Sequence, residues 1–137
     1  VLLMIDLDAP LDSARVSHLH WLVTDVTVVN SDSNPSPESV APLNIPNVQV
    51  PCIQPEPPVG DVAHTYQFYL FSPQPSGFSI PARYSNLSEN RAPFSLSHFI
   101  KDTGLEQTPI VARSNFRVQN LADHPTMTFP PPSASET

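Results

Sequence analysis

Proline sets the tightest limit on what this chain can build. Of its 18 prolines, eight fall between Ser31 and Pro58, against 3 glycines in the whole sequence. Proline fixes φ and offers no N–H, so a stretch this rich in it suits neither a helix interior nor the middle of a sheet. No hydrophobic periodicity runs through residues 31–58. They are expected to form a long irregular excursion, and such loops in a compact domain are as a rule functional or disordered.

The regular elements are expected elsewhere. Val1 to Asp6 is an apolar strand, ended by Leu7-Asp8-Ala9-Pro10. Leu19 to Val29 is a long, mostly buried second strand, and His64 to Phe71, "HTYQFYLF", is an aromatic third. Ile110 to Gln119 alternates apolar and polar residues and makes a fourth. "FSLSHFIKDTGL", Phe94 to Leu105, is the one clear helix: Ser95 caps it, Leu96, Phe99 and Ile100 share a face, and Gly104 ends it in αL. The class is mainly β with one or two helices. At 137 residues the length fits one domain, taken as 1–124, followed by a Pro-rich tail, 125–137, that is poorly ordered or draped over the surface.

Charge and punctuation narrow the partners. The formal net charge is -7 with 6 Lys+Arg and no basic run, which excludes a phosphate-tracking surface for nucleic acid. No apolar segment approaches the ~20 residues of a transmembrane helix. The chain opens inside an apolar strand, Val1-Leu2-Leu3-Met4-Ile5, so it is expected to be a mature or clipped fragment of a longer one, its upstream segment a signal peptide, more of the fold, or both. Cys52 is the one cysteine and forms no intrachain disulfide. Asn86-Leu87-Ser88 is a glycosylation sequon and points to a secreted, extracellular chain, with the cytoplasm as the alternative.

Three polar pairs recur at spacing two: Asp6/Asp8, His18/His20 and His64/Tyr66. In extended backbone such pairs face one side. If their strand ends are neighbours, they converge on one polar spot in an apolar wall, the form of a small-ligand pocket. Plainer readings stand beside this one: Asp8 as turn chemistry, and each histidine as a satisfied strand residue. His18, His20 and His64 also match the ligand inventory of a zinc or non-haem iron site, although the aspartates and Tyr66 fit hydrogen bonding equally well. The reading adopted is neither metal nor cofactor. No Gly-x-Ser-x-Gly elbow is present. With 3 glycines in the chain, Gly-rich phosphate loops are excluded as well.

"DLDAP" (Asp6–Pro10), "HLHWLVTDV" (His18–Val26) and "PPVGDVAHTYQFYLF" (Pro57–Phe71) together resemble the phosphatidylethanolamine-binding proteins. Their signatures are Asp-Pro-Asp-Ala-Pro, a His-Trp-Leu-Val strand, and Pro-Pro-x-Gly followed by His-x-Tyr. The resemblance implies a large central antiparallel sheet, a smaller sheet packed on it, and peripheral helices. It also implies further strands upstream of Val1, themselves a candidate partner. It implies an anion pocket using Asp6, His20, His64 and Tyr66, with Asp8 supporting the turn, Pro57-Pro58 shaping the rim, and His18 at a gate-side position. Leu7 stands where the family has proline. Leu11-Asp12 and Thr65 stand where it often carries arginine, which removes positive charge nearby. These departures and the sequon are closest to the secreted fungal branch.

The expected function is a non-catalytic module, with no catalytic residues, that binds phosphate, a phospholipid headgroup or a similar small anion. The alternative is an enzyme or accessory factor doing acid/base chemistry on a small organic acid in fungal metabolite biosynthesis, with His20 or Asp6 as base and the Pro-rich loop choosing the substrate. An anion beside Asp6 requires a proton or an imidazolium to offset like charge, so phosphate-type ligands are expected to bind more tightly at pH 6 than at pH 8.

Overall fold

The structure, a computed structural model, describes residues 1–29, 42–72, 74–121 and 128–132. In chain order the strands are β1 (Leu2–Leu11), β2 (Ala14–Thr24), β3 (Thr27–Val28), β4 (Leu43–Asn44), β5 (Asn47–Val50), β6 (His64–Phe71) and β7 (Ile110–Val118). Five of them form one antiparallel sheet in the order β5-β2-β1-β6-β7, and β3 and β4 form a separate two-stranded ribbon. Among the described residues one α-helix, α1 (Leu96–Thr103), completes the mainly β architecture expected from the sequence.

The strand boundaries show where the expectations needed correcting. β1 does not stop at Asp6 but runs on through Pro10. Its pairing with β6 ends at Asp6–Tyr66, so beyond that point β1 has β2 as its only neighbour. Pro10 thus sits on a local edge, where a missing N–H costs nothing. β1 then turns through Asp12, at φ 53, directly into β2, which is why β2 starts at Ala14 rather than Leu19. β2 in turn ends at Thr24, because Asp25, at φ 58, breaks the run that was expected to reach Val29.

The proline-rich excursion is not wholly irregular. Its residues 31–41 lie outside the described ones, but β4 and β5 fall in the remainder. β5 is the proline-free window between Pro46 and Pro51, and it pairs at the edge of the sheet with β2. Of the expected tail, residues 128–132 are described and the remainder lies outside.

α1 packs on one face of the sheet. Ser95 Oγ accepts from the His98 amide at 3.3 Å, and Gly104 ends the helix at φ 87, where a Cβ would come 3.3 Å from the Gly77 carbonyl oxygen. Leu3, Ile5, Leu19 and Leu22 from the sheet meet Phe94, Phe99 and Leu105 in one buried cluster. Burying a large apolar side chain contributes roughly 1.5–3 kcal/mol, so this face holds the scaffold that carries the other.

Candidate functional site

Register across three strands builds the site. β1 places Asp6 opposite His18 of β2 on one side and opposite Tyr66 of β6 on the other. Directly opposed residues share a face, so the three side chains form one row. Tyr66 is also paired with Phe116 of β7 and stacks on it, ring centroids 5.4 Å apart. His64, two residues before Tyr66, falls on the same face by alternation.

His20 arrives differently. Pairing steps from Ile5–Leu19 to Met4–Trp21, leaving His20 as an extra residue in β2, a β-bulge. Bulges re-aim side chains, and here the bulge sets the His20 ring 5.0 Å from that of His18 and edge-on to Tyr66 at 5.1 Å. A second shift, between Asp6 and Ala9, interrupts the period-two pattern after Asp6. Asp8 accordingly does not join the pocket lining: its Oδ2 accepts from the Thr65 amide at 2.7 Å, tying β1 to β6.

The row opens into a cavity of about 480 Å³ lined by Asp6, His18, His20, His64, Tyr66 and Pro58, with Pro10, Ile53 and Glu56 at its sides. Its volume is that of a small-molecule site. The three pairs seen at spacing two therefore do converge, with Asp8 set apart from the lining.

One wall of the cavity is a chain of charges. His64 Nδ1–H donates to Asp6 Oδ2 at 2.8 Å, and its Nε2–H donates to Asp61 Oδ2 at 2.7 Å. Both partners are carboxyl groups, and with both ionised the ring carries a proton on each nitrogen as an imidazolium. Burial works to lower its pKa, but hydrogen bonds and charge from Asp6 and Asp61 outweigh it and hold the pKa above the ordinary histidine value. Asp61 is in turn gripped by Arg15, Nη1 to Oδ2 at 2.6 Å and Nη2 to Oδ1 at 2.8 Å, with side-chain exposure of 4% and 1% for the pair. Burial would raise the Asp61 pKa, yet the bonds from Arg15, His64 and the Val62 amide bring it down to about 2. Asp6 Oδ1 accepts from the Asp8 amide at 2.8 Å.

The opposite wall is open. His20 Nδ1–H donates to the Ile53 carbonyl at 3.0 Å, and the Ile53 amide donates back to the His20 carbonyl at 3.1 Å. This clasp fixes the tautomer: Nε2 has no partner among the described residues, accepting when the ring is neutral and donating when it is charged. His18 Nε2 is buried without a hydrogen-bond partner among the described residues. Burial, then the neighbouring His20, push the His18 pKa below the ordinary imidazole value, with Arg91 adding to the effect and Asp6 opposing it. Burial, the charge of Asp6 and a hydrogen bond to Asp6 push the Tyr66 phenol well up, so it keeps its proton as a donor, shared between Asp6 and the cavity.

Arg15 and Asp61 escaped the sequence reading. They lie 46 residues apart, and no local pattern links them. Metal ligation is a poor use of His64, since both of its nitrogens are taken, and among the described residues no cluster of three His, Cys, Asp or Glu side chains is arranged to hold a metal ion.

The family model of phosphatidylethanolamine-binding protein matches residues 1–115. The chain belongs to that family. The matched stretch contains all three signature segments, Asp6–Pro10, His18–Val26 and Pro57–Phe71, and thus every residue of the row on β1, β2 and β6. Comparison with curated proteins and with solved structures returns no significant match. Family membership supports a binding protein for a small ligand, and no helix among the described residues is long and apolar enough to cross a membrane.

Proposed function

We propose that the cavity binds a small anionic group, phosphate or a phosphorylated headgroup, without transforming it. The observation that carries this reading is the open wall: His20 Nε2 has no partner among the described residues and stands beside the protonated Tyr66 hydroxyl, while His64 is tied at both nitrogens. The anion sits on His20 and Tyr66, with Asp6 accepting from a protonated ligand oxygen. Pro58 and His18 bound the cavity, and Asp8 serves it through the Thr65 amide. One proton more than a bare dianion carries is needed between Asp6 and the ligand, placed on His20 or on the ligand itself.

Calorimetric titration with phosphoethanolamine tests this. Wild-type protein is expected to bind, more tightly at pH 6 than at pH 8, and to return the ligand unchanged. His20→Ala is expected to weaken binding by about tenfold or more, the worth of one charge-assisted hydrogen bond. Equal affinity in the two proteins would remove His20 from the site. We further propose that Asn86 carries a glycan in a secreted protein of the fungal type. Its side chain is exposed just after the 3₁₀ turn Ala82–Tyr84, and mass spectrometry of the protein from its native source checks it.

A further inference from the structure

Every N–H of the Arg15 guanidinium has an acceptor. Nη1 donates to Asp61 Oδ2 at 2.6 Å and to the Asp8 carbonyl at 3.0 Å, and Nη2 donates to Asp61 Oδ1 at 2.8 Å. The two remaining donors reach far along the chain: Nη2 to the Pro130 carbonyl at 2.6 Å and Nε to the Pro131 carbonyl at 3.2 Å. A guanidinium has five N–H groups in a rigid fork, and this arrangement uses all of them. The side chain is 4% exposed, so losing either outer acceptor would leave a buried donor unpaired. No residue of 128–132 lines the cavity.

We propose that the proline run of the C-terminal segment is a latch on the ligand pocket, acting through Arg15 as a positioning residue. The latch closes the outer side of the guanidinium, and the guanidinium then holds Asp61 by both oxygens. Asp61 orients His64, and His64 orients Asp6 at the cavity. Consecutive prolines suit the task. They hold an extended, stiff backbone with carbonyls turned outward, so little conformational entropy is lost on docking. Docked and released tail are two states of one element, and ligand affinity follows which of them is populated. That the pocket binds a small anion rests on the reading above; the latch itself does not.

The full-length protein with Pro130→Gly and Pro131→Gly together tests the latch, since this frees the backbone without touching the cavity. Solvent exchange of the Arg15 Nε–H and of the two His64 ring N–H protons, followed by NMR without ligand, reads the relay. Affinity for phosphoethanolamine reads the pocket. The expected result is roughly five- to tenfold faster exchange at both residues and a comparable weakening of binding, where wild type binds. Faster exchange at Arg15 with His64 unchanged would overturn the coupling. Unchanged exchange at Arg15 would overturn the prolines as the latch. Failure of wild type to bind phosphoethanolamine would count against the ligand reading alone, because the exchange measurement needs no ligand.

Discussion

The two walls of the cavity contrast sharply although the strands of one sheet carry most of both. On one, Arg15, Asp61, His64 and Asp6 alternate in sign and satisfy one another almost completely. On the other, His18 and His20 stand 5.0 Å apart, each with an Nε2 that has no partner among the described residues. The first wall has spent its hydrogen bonds on structure, and the second has kept them. The difference teaches where to look for recognition: titratable groups being buried does not mark a ligand site, but titratable groups left unsatisfied do.

The contrast is broken most severely at Asp61. Asp61→Ala leaves the guanidinium of Arg15 and the His64 ring buried without their shared partner, and removing one member of a buried ion pair costs about 3–5 kcal/mol. Urea denaturation should show that loss in the midpoint. A change below about 1 kcal/mol would mean the locked wall is not what holds this end of the sheet.

Titration probes the same wall without mutation. Asp61 has a folded pKa of about 2, below its ordinary 3.8, so its stabilisation is complete above 3.8 and is lost as pH falls through about 2. It is worth about 2 to 3 kcal/mol at most. His64 has a folded pKa raised above 6.5, so its stabilisation is complete below 6.5 and is lost as pH rises through the higher folded value. Their joint contribution should therefore be greatest between about 4 and 6.5 and decline on both sides, while His18, its pKa lowered by burial, works the other way below 6.5, so the profile is read in a His18→Ala background. A curve still rising above pH 7 would contradict the doubly bonded imidazolium.

The open wall should respond more gently. His20→Ala removes one hydrogen bond to the Ile53 carbonyl and is expected to cost about 1 kcal/mol of stability. A loss as large as that of Asp61→Ala would erase the distinction between the walls. On the far side of the sheet, Ser95→Ala removes the helix cap and should cost about 1 kcal/mol, lowering the thermal midpoint while leaving ligand affinity unchanged.

Much of this site was legible because it is periodic. Spacing two places His64 and Tyr66 on one face, and β6 has the bounds His64–Phe71 that its aromatic run implied. The Ser95 cap and the Gly104 stop were readable for the same local reason. What could not be read depends on contacts between distant segments. The bulge at His20 arises only from pairing with β1, and the place of Asp8 only from the second shift. β5 is ordered by the edge of β2 despite its proline-rich surroundings. The grip of Arg15 on Asp61 and on two tail carbonyls spans separations of 46 to 116 residues, where a single sequence carries no period at all.

The central claim is that His20 meets the ligand while His64 serves the frame. The direct measurement is an NMR titration of the histidine ring signals with phosphoethanolamine at pH 6. The account predicts saturable shifts at the His20 ring, with the His64 ring N–H signals present before ligand is added and still in place at saturation. Shifts at His64 with His20 unmoved would contradict it, and would transfer recognition to the wall described here as closed.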